Sequence, residues 1–307
     1  MAVKTLPTMR MRRLGALAAI AVVGGAGAGI AIAATPHQSG VGFTCEGKLA
    51  TQVGTEAADN ITGTPNADVI VTLGGNDTVN GGGGDDVICL GDGNDSANGG
   101  DGNDRIFGEG GDDNVNGSNG DDHLDGGEGT DRLVGSLGND TAMGRSGNDR
   151  IDLGGGDDIG DGGEGNDTIL GGAGNDSRLS GADGLDTISG DAGRDTILGG
   201  SGRDSLNGGA GIDRISGQPG VDVITGGGGN DIANGGPGND TLNGGAGGDR
   251  LRGGGGNDRV NGDGGGDRLF GESGDDSLDG GAGRDAANGG IGTDSCVNVE
   301  SRKACES

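Results

Sequence analysis

Tryptophan and tyrosine are absent from this chain of 307 residues, and phenylalanine occurs three times, as Phe43, Phe107 and Phe270. With few rings to stack on bases, and 49 acidic residues against 20 basic ones, the composition opposes nucleic-acid binding. Histidine is scarce too: His37 and His123 are the two copies, and His123 reads as a solvent-facing strand residue. No HExxH, no G-x-S-x-G and no Cys–His constellation is present, so the common hydrolytic chemistries lack their residues. The four cysteines have no CxxC spacing and no paired histidines, which argues against zinc. Long apolar runs are missing outside residues 14–34.

Glycine is abundant, at 82 residues. An aperiodic chain of that composition would be a flexible acidic tail. Collagen requires glycine at every third position, which is not found. The order present is different: an aspartate recurs at every ninth residue from Asp59 to Asp176 and, after one extra residue, from Asp186 to Asp294, 27 in all. A strict short period means a stack of like units, each using its aspartate in the same way.

Aligned on that aspartate, the unit reads Gly-Gly-x-Gly-x-Asp-x-U-x, with U a large aliphatic residue. Gly81-Gly82-Gly83-Gly84-Asp85-Asp86 and Gly171-Gly172-Ala173-Gly174-Asn175-Asp176 are clean copies. The residue two before the aspartate is glycine in all units but the first two, where Ala57 and Asn66 stand; the residue five before departs at Thr72, Leu90 and Leu153. Glycines so placed permit positive φ and leave carbonyls bare enough to converge on an ion. Two residues past the aspartate most units carry a large aliphatic residue, as at Ile61, Ile70, Val79, Ile88, Ile106, Val115 and Leu124. A turn of six and a strand of three then give each unit one inward side chain and one carboxylate-bearing loop.

This pattern resembles the RTX (repeats-in-toxin, haemolysin-type) calcium-binding nonapeptide repeat over residues 54–296. The resemblance implies an all-β fold, a right-handed parallel β-roll of about 27 repeats with two per turn. It also implies Ca2+ ions between loops n and n + 2, held by the repeat aspartates and by carbonyls of their glycine turns. Asp77 would share an ion with Asp95 and Asp86 with Asp104, continuing through Asp113, Asp122, Asp131, Asp140, Asp149, Asp158, Asp167, Asp176, Asp186, Asp195, Asp204, Asp213, Asp222, Asp231, Asp240, Asp249, Asp258, Asp267, Asp276 and Asp285. All-oxygen ligation suits calcium. The loops allow up to about 25 such sites. Filling every one would overshoot neutrality, so weak or empty sites are expected at the first two loops and the last (Asp59, Asp68 and Asp294).

The chain needs its metal on physical grounds. Ordering a glycine-rich backbone is costly, and one aliphatic side chain per nine residues makes a thin core. The net charge is −29, and loss of the four basic residues in the first 34 would take it to −33. Aspartates stacked at about 4.8 Å along an edge repel one another unless cations lie between them. The expectation is an unfolded metal-free chain and a folded calcium-bound one.

One stretch breaks the register. Leu153 replaces a loop glycine, Gly160 takes a U position with Ile159 beside it, and Ser177-Arg178-Leu179 carries the extra residue. A β-bulge over an underfilled core layer is expected there.

Residues 1–34 have the form of a signal peptide: basic residues up to Arg13, the apolar run, and Ala31-Ile32-Ala33 as a cleavage pattern. The run is long for that purpose, so an uncleaved anchor is the alternative, though its Gly-Ala-Gly stretch makes a poor spanning helix. Residues 35–53 form a short segment before the roll, and 297–307 a C-terminal cap. Cys45, Cys89, Cys296 and Cys305 allow three pairings. Their positions favour Cys45–Cys89 and Cys296–Cys305, one closing each open end of the roll.

These features point to a secreted calcium-binding scaffold without a catalytic domain and without membrane attachment once the leader is removed. A calcium-dependent adhesion or ice- and surface-binding module is the alternative. It calls for outward ladders of Thr and Asn, and the third loop position (Gly83, Asp92, Asp101, Glu128, Pro237) supplies none. A protein or polycation partner suits so acidic a rod, and nothing in the sequence identifies one.

Overall fold

The computed structural model describes residues 42–306; the expected leader lies outside them. Two parallel sheets of 15 strands each pack face to face. The chain alternates between them. One sheet takes Asn60–Thr62, Thr78–Gly83 and Ser96–Asp101 and runs on to Ser295–Val297; the other takes Val69–Val71, Val87–Asp92 and Arg105–Gly110 and ends at Ser301–Lys303. Each strand pairs with the strand two units on, so Val79 lies opposite Ala97 and Ile88 opposite Ile106. Two nonapeptides therefore make one turn of a β-solenoid of about 14 turns, and no helix occurs among the described residues.

The period-two alternation of a strand decides what goes inside. In Thr78–Gly83, Val79 and Gly81 are buried while Thr78 and Asn80 face out. The U residues of both sheets merge into one continuous core from Ile61 to Cys296. Most of the paired strands are six or seven residues long rather than the expected three, because the peptides of the glycine turns join the ladder. Gly83 N–H donates to the Thr64 carbonyl at 3.0 Å and Gly84 N–H to the Asp101 carbonyl at 2.7 Å.

The core at the irregular stretch is filled, contrary to expectation. A Cβ built on Gly160 would lie 3.1 Å from Leu153 Cδ1 and 3.2 Å from Ile169 Cγ2. Leu153, standing where other units have glycine, is fully buried and supplies the volume that Gly160 lacks. The bulge itself is present. Ser177 N–H donates to the Asp158 carbonyl at 3.0 Å while Arg178 pairs with Ile159, so two residues oppose one. Register survives, with Asp167 N–H reaching Asp186 Oδ1 at 2.8 Å across 19 residues.

A polar ladder also exists where the sequence promised none. Thr78 and Asn80, Ser96 and Asn98, and Asn114 and Asn116 stack in register on an outer sheet face until Arg132 and Val134 interrupt them. It lies beside the U residues on the strand, not at the third loop position.

Both ends are closed. Cys45–Cys89 and Cys296–Cys305 are disulfides. Around the first, Ala50, Val53, Val71 and Val87 form a small second core against Phe107. Glu46 accepts two hydrogen bonds from Arg105, each 2.6 Å, tying the N-terminal hairpin to the roll.

Candidate metal centre

Each repeat aspartate closes a turn that only glycine builds cheaply. At the residue two before the aspartate, φ is +92° for Gly84 and +128° for Gly102. The turn brings the aspartate N–H of loop n onto the carboxylate of loop n + 2. Asp77 N–H donates to Asp95 Oδ1 at 2.7 Å and Asp86 N–H to Asp104 Oδ1 at 2.8 Å, and the pattern continues to Asp267 N–H on Asp285 Oδ1 at 2.9 Å. The expected partners are thus neighbours along both edges.

That bond uses one oxygen per carboxylate. The other, Oδ2, is buried without a hydrogen-bond partner in 24 aspartates, from Asp77 to Asp285. These are the same 24 residues singled out from the sequence, and all are at most 3% exposed. The first two loops differ. Asp59 Oδ2 accepts from Thr55 N–H at 2.5 Å, and Asp68 Oδ2 from Thr64 N–H at 2.7 Å. Thr51 also donates its hydroxyl to Asp68 Oδ1 at 2.9 Å.

The orphan oxygen faces a carbonyl. A Cβ on Gly81 would fall well under 3.0 Å from both Asp86 Oδ2 and the Gly99 carbonyl oxygen, and a Cβ on Gly235 likewise from Asp240 Oδ2 and the Gly253 carbonyl. The space is bounded by a carboxylate oxygen and a peptide oxygen, with glycine keeping it open. A bare buried oxygen of this kind is costly unless a donor or cation meets it, and hard oxygens fit calcium. Among the described residues, nowhere do three or more His, Cys, Asp or Glu side chains gather for a metal. Carbonyls therefore have to complete any shell.

Electrostatics agree. Burial pushes the carboxyls of Asp86, Asp95 and Asp104 up to about 6, partly offset by the backbone N–H each accepts and raised further by neighbouring carboxylates. For Asp113, Asp122, Asp158, Asp195 and Asp258 the same causes raise it to about 7. Without a cation these carboxyls ionise less readily than an exposed aspartate.

Two features were missed in the sequence. The Asn and Asp just before many repeat aspartates form a second ladder. Asn103 N–H donates to Asp85 Oδ1 at 3.0 Å and Asp121 N–H to Asn103 Oδ1 at 3.1 Å, running in the opposite direction to the aspartate ladder. The residue four before the aspartate also takes positive φ, even as Glu109 (71°), Arg145 (82°) or Asp191 (66°). Variation at that position concealed its demand.

The class is that of a parallel β-roll whose turns carry a periodic array of buried carboxylates. The sequence model of the RTX calcium-binding nonapeptide repeat matches nine overlapping or adjacent segments between residues 53 and 296, among them 53–88, 90–124, 125–160 and 261–296. The chain belongs to this family. No curated protein matches it.

Proposed function

We propose that the chain is a secreted scaffold that folds by taking up calcium between loops n and n + 2 through Asp77 to Asp285, and that it works as structure, not as a catalyst. The observation that carries this reading is the set of 24 buried Oδ2 atoms without partners. A cation at each would remove the burial cost and turn repulsion between stacked carboxylates into attraction. The leader-like residues 1–34 and the two disulfides support an extracellular setting, where calcium is abundant enough for weak sites and disulfides persist.

Equilibrium dialysis of the disulfide-intact chain should return on the order of twenty calcium ions per molecule, one for each pair of loops n and n + 2. Binding of only one or two would reject the array. The surface-binding alternative rests on the short polar ladder from Thr78 to Asn116. Thermal hysteresis in calcium-loaded protein, abolished by charged substitutions at Asn80 and Asn98, would favour it.

A further inference from the structure

At the C-terminal end the repeat stops, but its pattern of oxygen atoms continues. Asp285 and Asp294 have no aspartate two units on. Their N–H groups donate instead to Glu300 Oε2, at 2.6 Å, and to Glu306 Oε2. The carbonyls are replaced as well. A Cβ on Gly280 would fall well under 3.0 Å from the Asn298 carbonyl oxygen, and one on Gly289 equally close to the Ala304 carbonyl oxygen. Interior glycines meet the carbonyl two units on in the same way, as Gly81 meets Gly99.

The backbone follows suit. Ser301 N–H donates to the Asp285 carbonyl at 3.2 Å, as Arg105 N–H does to Asp86 at 2.9 Å inside the roll, and the Glu300 and Glu306 N–H groups add bonds to the Asp285 and Asp294 carbonyls at 3.1 and 2.7 Å. Asn298 and Ala304 reach these positions with positive φ, 51° and 49°. Asn298-Val299-Glu300 and Ala304-Cys305-Glu306 are thus abbreviated half-turns. In each, carbonyl and carboxylate stand two residues apart instead of the five of a repeat, and Cys296–Cys305 ties down the second.

A hydrogen-bonding cap alone would leave the Asp285 carboxylate satisfied. Asp285 is 2% exposed, and its Oδ2 has no partner. The N-terminal end is closed differently: there the Thr55 and Thr64 N–H groups donate to the second oxygens of Asp59 and Asp68. The C-terminal end presents more carboxylate instead.

We propose that Glu300 is a ligand of a terminal cation site shared with Asp285. This rests on the reading that calcium lies between loops n and n + 2. The test is the variant Glu300→Gln in the full disulfide-bonded chain, followed by amide hydrogen exchange of residues 280–306 against calcium concentration. Glutamine keeps an oxygen for the Asp285 N–H group but removes the charge. Protection of 280–306 in the variant should require roughly tenfold more calcium or worse, the scale on which a perturbed site loses metal affinity, while interior segments keep the wild-type midpoint. Protection at the wild-type calcium concentration would show a hydrogen-bonding cap only and overturn the proposal. Equal loss throughout the roll would overturn it too, since only the end rung depends on this residue. If the wild-type chain shows no calcium-dependent protection anywhere, the array itself fails, a result separable from failure at the cap.

Discussion

At the residue scale, the repeat aspartates from Asp77 to Asp285 do two jobs with their two oxygens. Oδ1 accepts a backbone N–H, and Oδ2 stands bare, in most of them beside a carbonyl. The substitution Asp140→Asn separates them. It keeps the acceptor for Asp122 N–H, which lies 2.8 Å from Asp140 Oδ1, and removes the charge. In calcium it should cost roughly 1–3 kcal/mol, the value of a buried charged interaction, read from denaturant unfolding. In chelator it should not destabilise, because a buried charge has been removed. Glycine gives a second contrast. Gly81→Ala places a Cβ against Asp86 Oδ2 and the Gly99 carbonyl and should weaken the fold in calcium, whereas Gly83→Ala meets nothing nearer than 3.7 Å and should stay within about 0.5 kcal/mol of wild type. Comparative calcium titrations of the two variants would show whether that cradle matters. The aspartates and most glycines were legible because each does what only its residue type can do. The strained position at Glu109 and Arg145 was not, because a positive φ there is tolerated at a cost and leaves no fixed letter.

At the element scale, the unit of construction is a six-residue strand. The alternation around Val79 was plain in the sequence, but the extension through Gly81-Gly82-Gly83 was not, since glycines carry no side-chain pattern to betray a ladder. The irregular stretch shows the same limit. Ser177 could be recognised as an extra residue from register alone, whereas the exchange of volume between Leu153 and Gly160 depends on which side chains face each other across the roll. Leu153→Gly, which restores the consensus, should therefore destabilise. It empties a fully buried site next to a glycine and should cost about 2–5 kcal/mol, as other large-to-small core changes do, measured by thermal or denaturant unfolding in calcium. A consensus view of the repeat predicts stabilisation, so the sign of the change decides.

At the scale of the whole molecule, a chain of net charge −29 holds 24 buried carboxylates with an unpartnered oxygen. In most of them burial raises the folded value from the usual 3.8, to about 6 for Asp86 and about 7 for Asp113. Groups raised in this way favour the metal-free roll when protonated, so its stability is highest below about pH 4 and is lost as pH rises through 6 to 7. Acidifying the chelated protein should therefore increase β-structure, while in calcium the same acidification should weaken metal binding by competition; circular dichroism and dialysis would follow the two. Total charge and periodicity were visible in the sequence, as were the cysteine pairs, but the closing roles of Thr55, Thr64, Glu300 and Glu306 were not, because each is used once and repeats nowhere. The central claim is that metal uptake and folding are one event, and far-ultraviolet circular dichroism at neutral pH tests it most directly. The disulfide-intact chain should be coil in excess chelator and should turn cooperatively to β-structure with calcium but not magnesium. A spectrum already rich in β-structure in chelator, unchanged by calcium, would contradict the account.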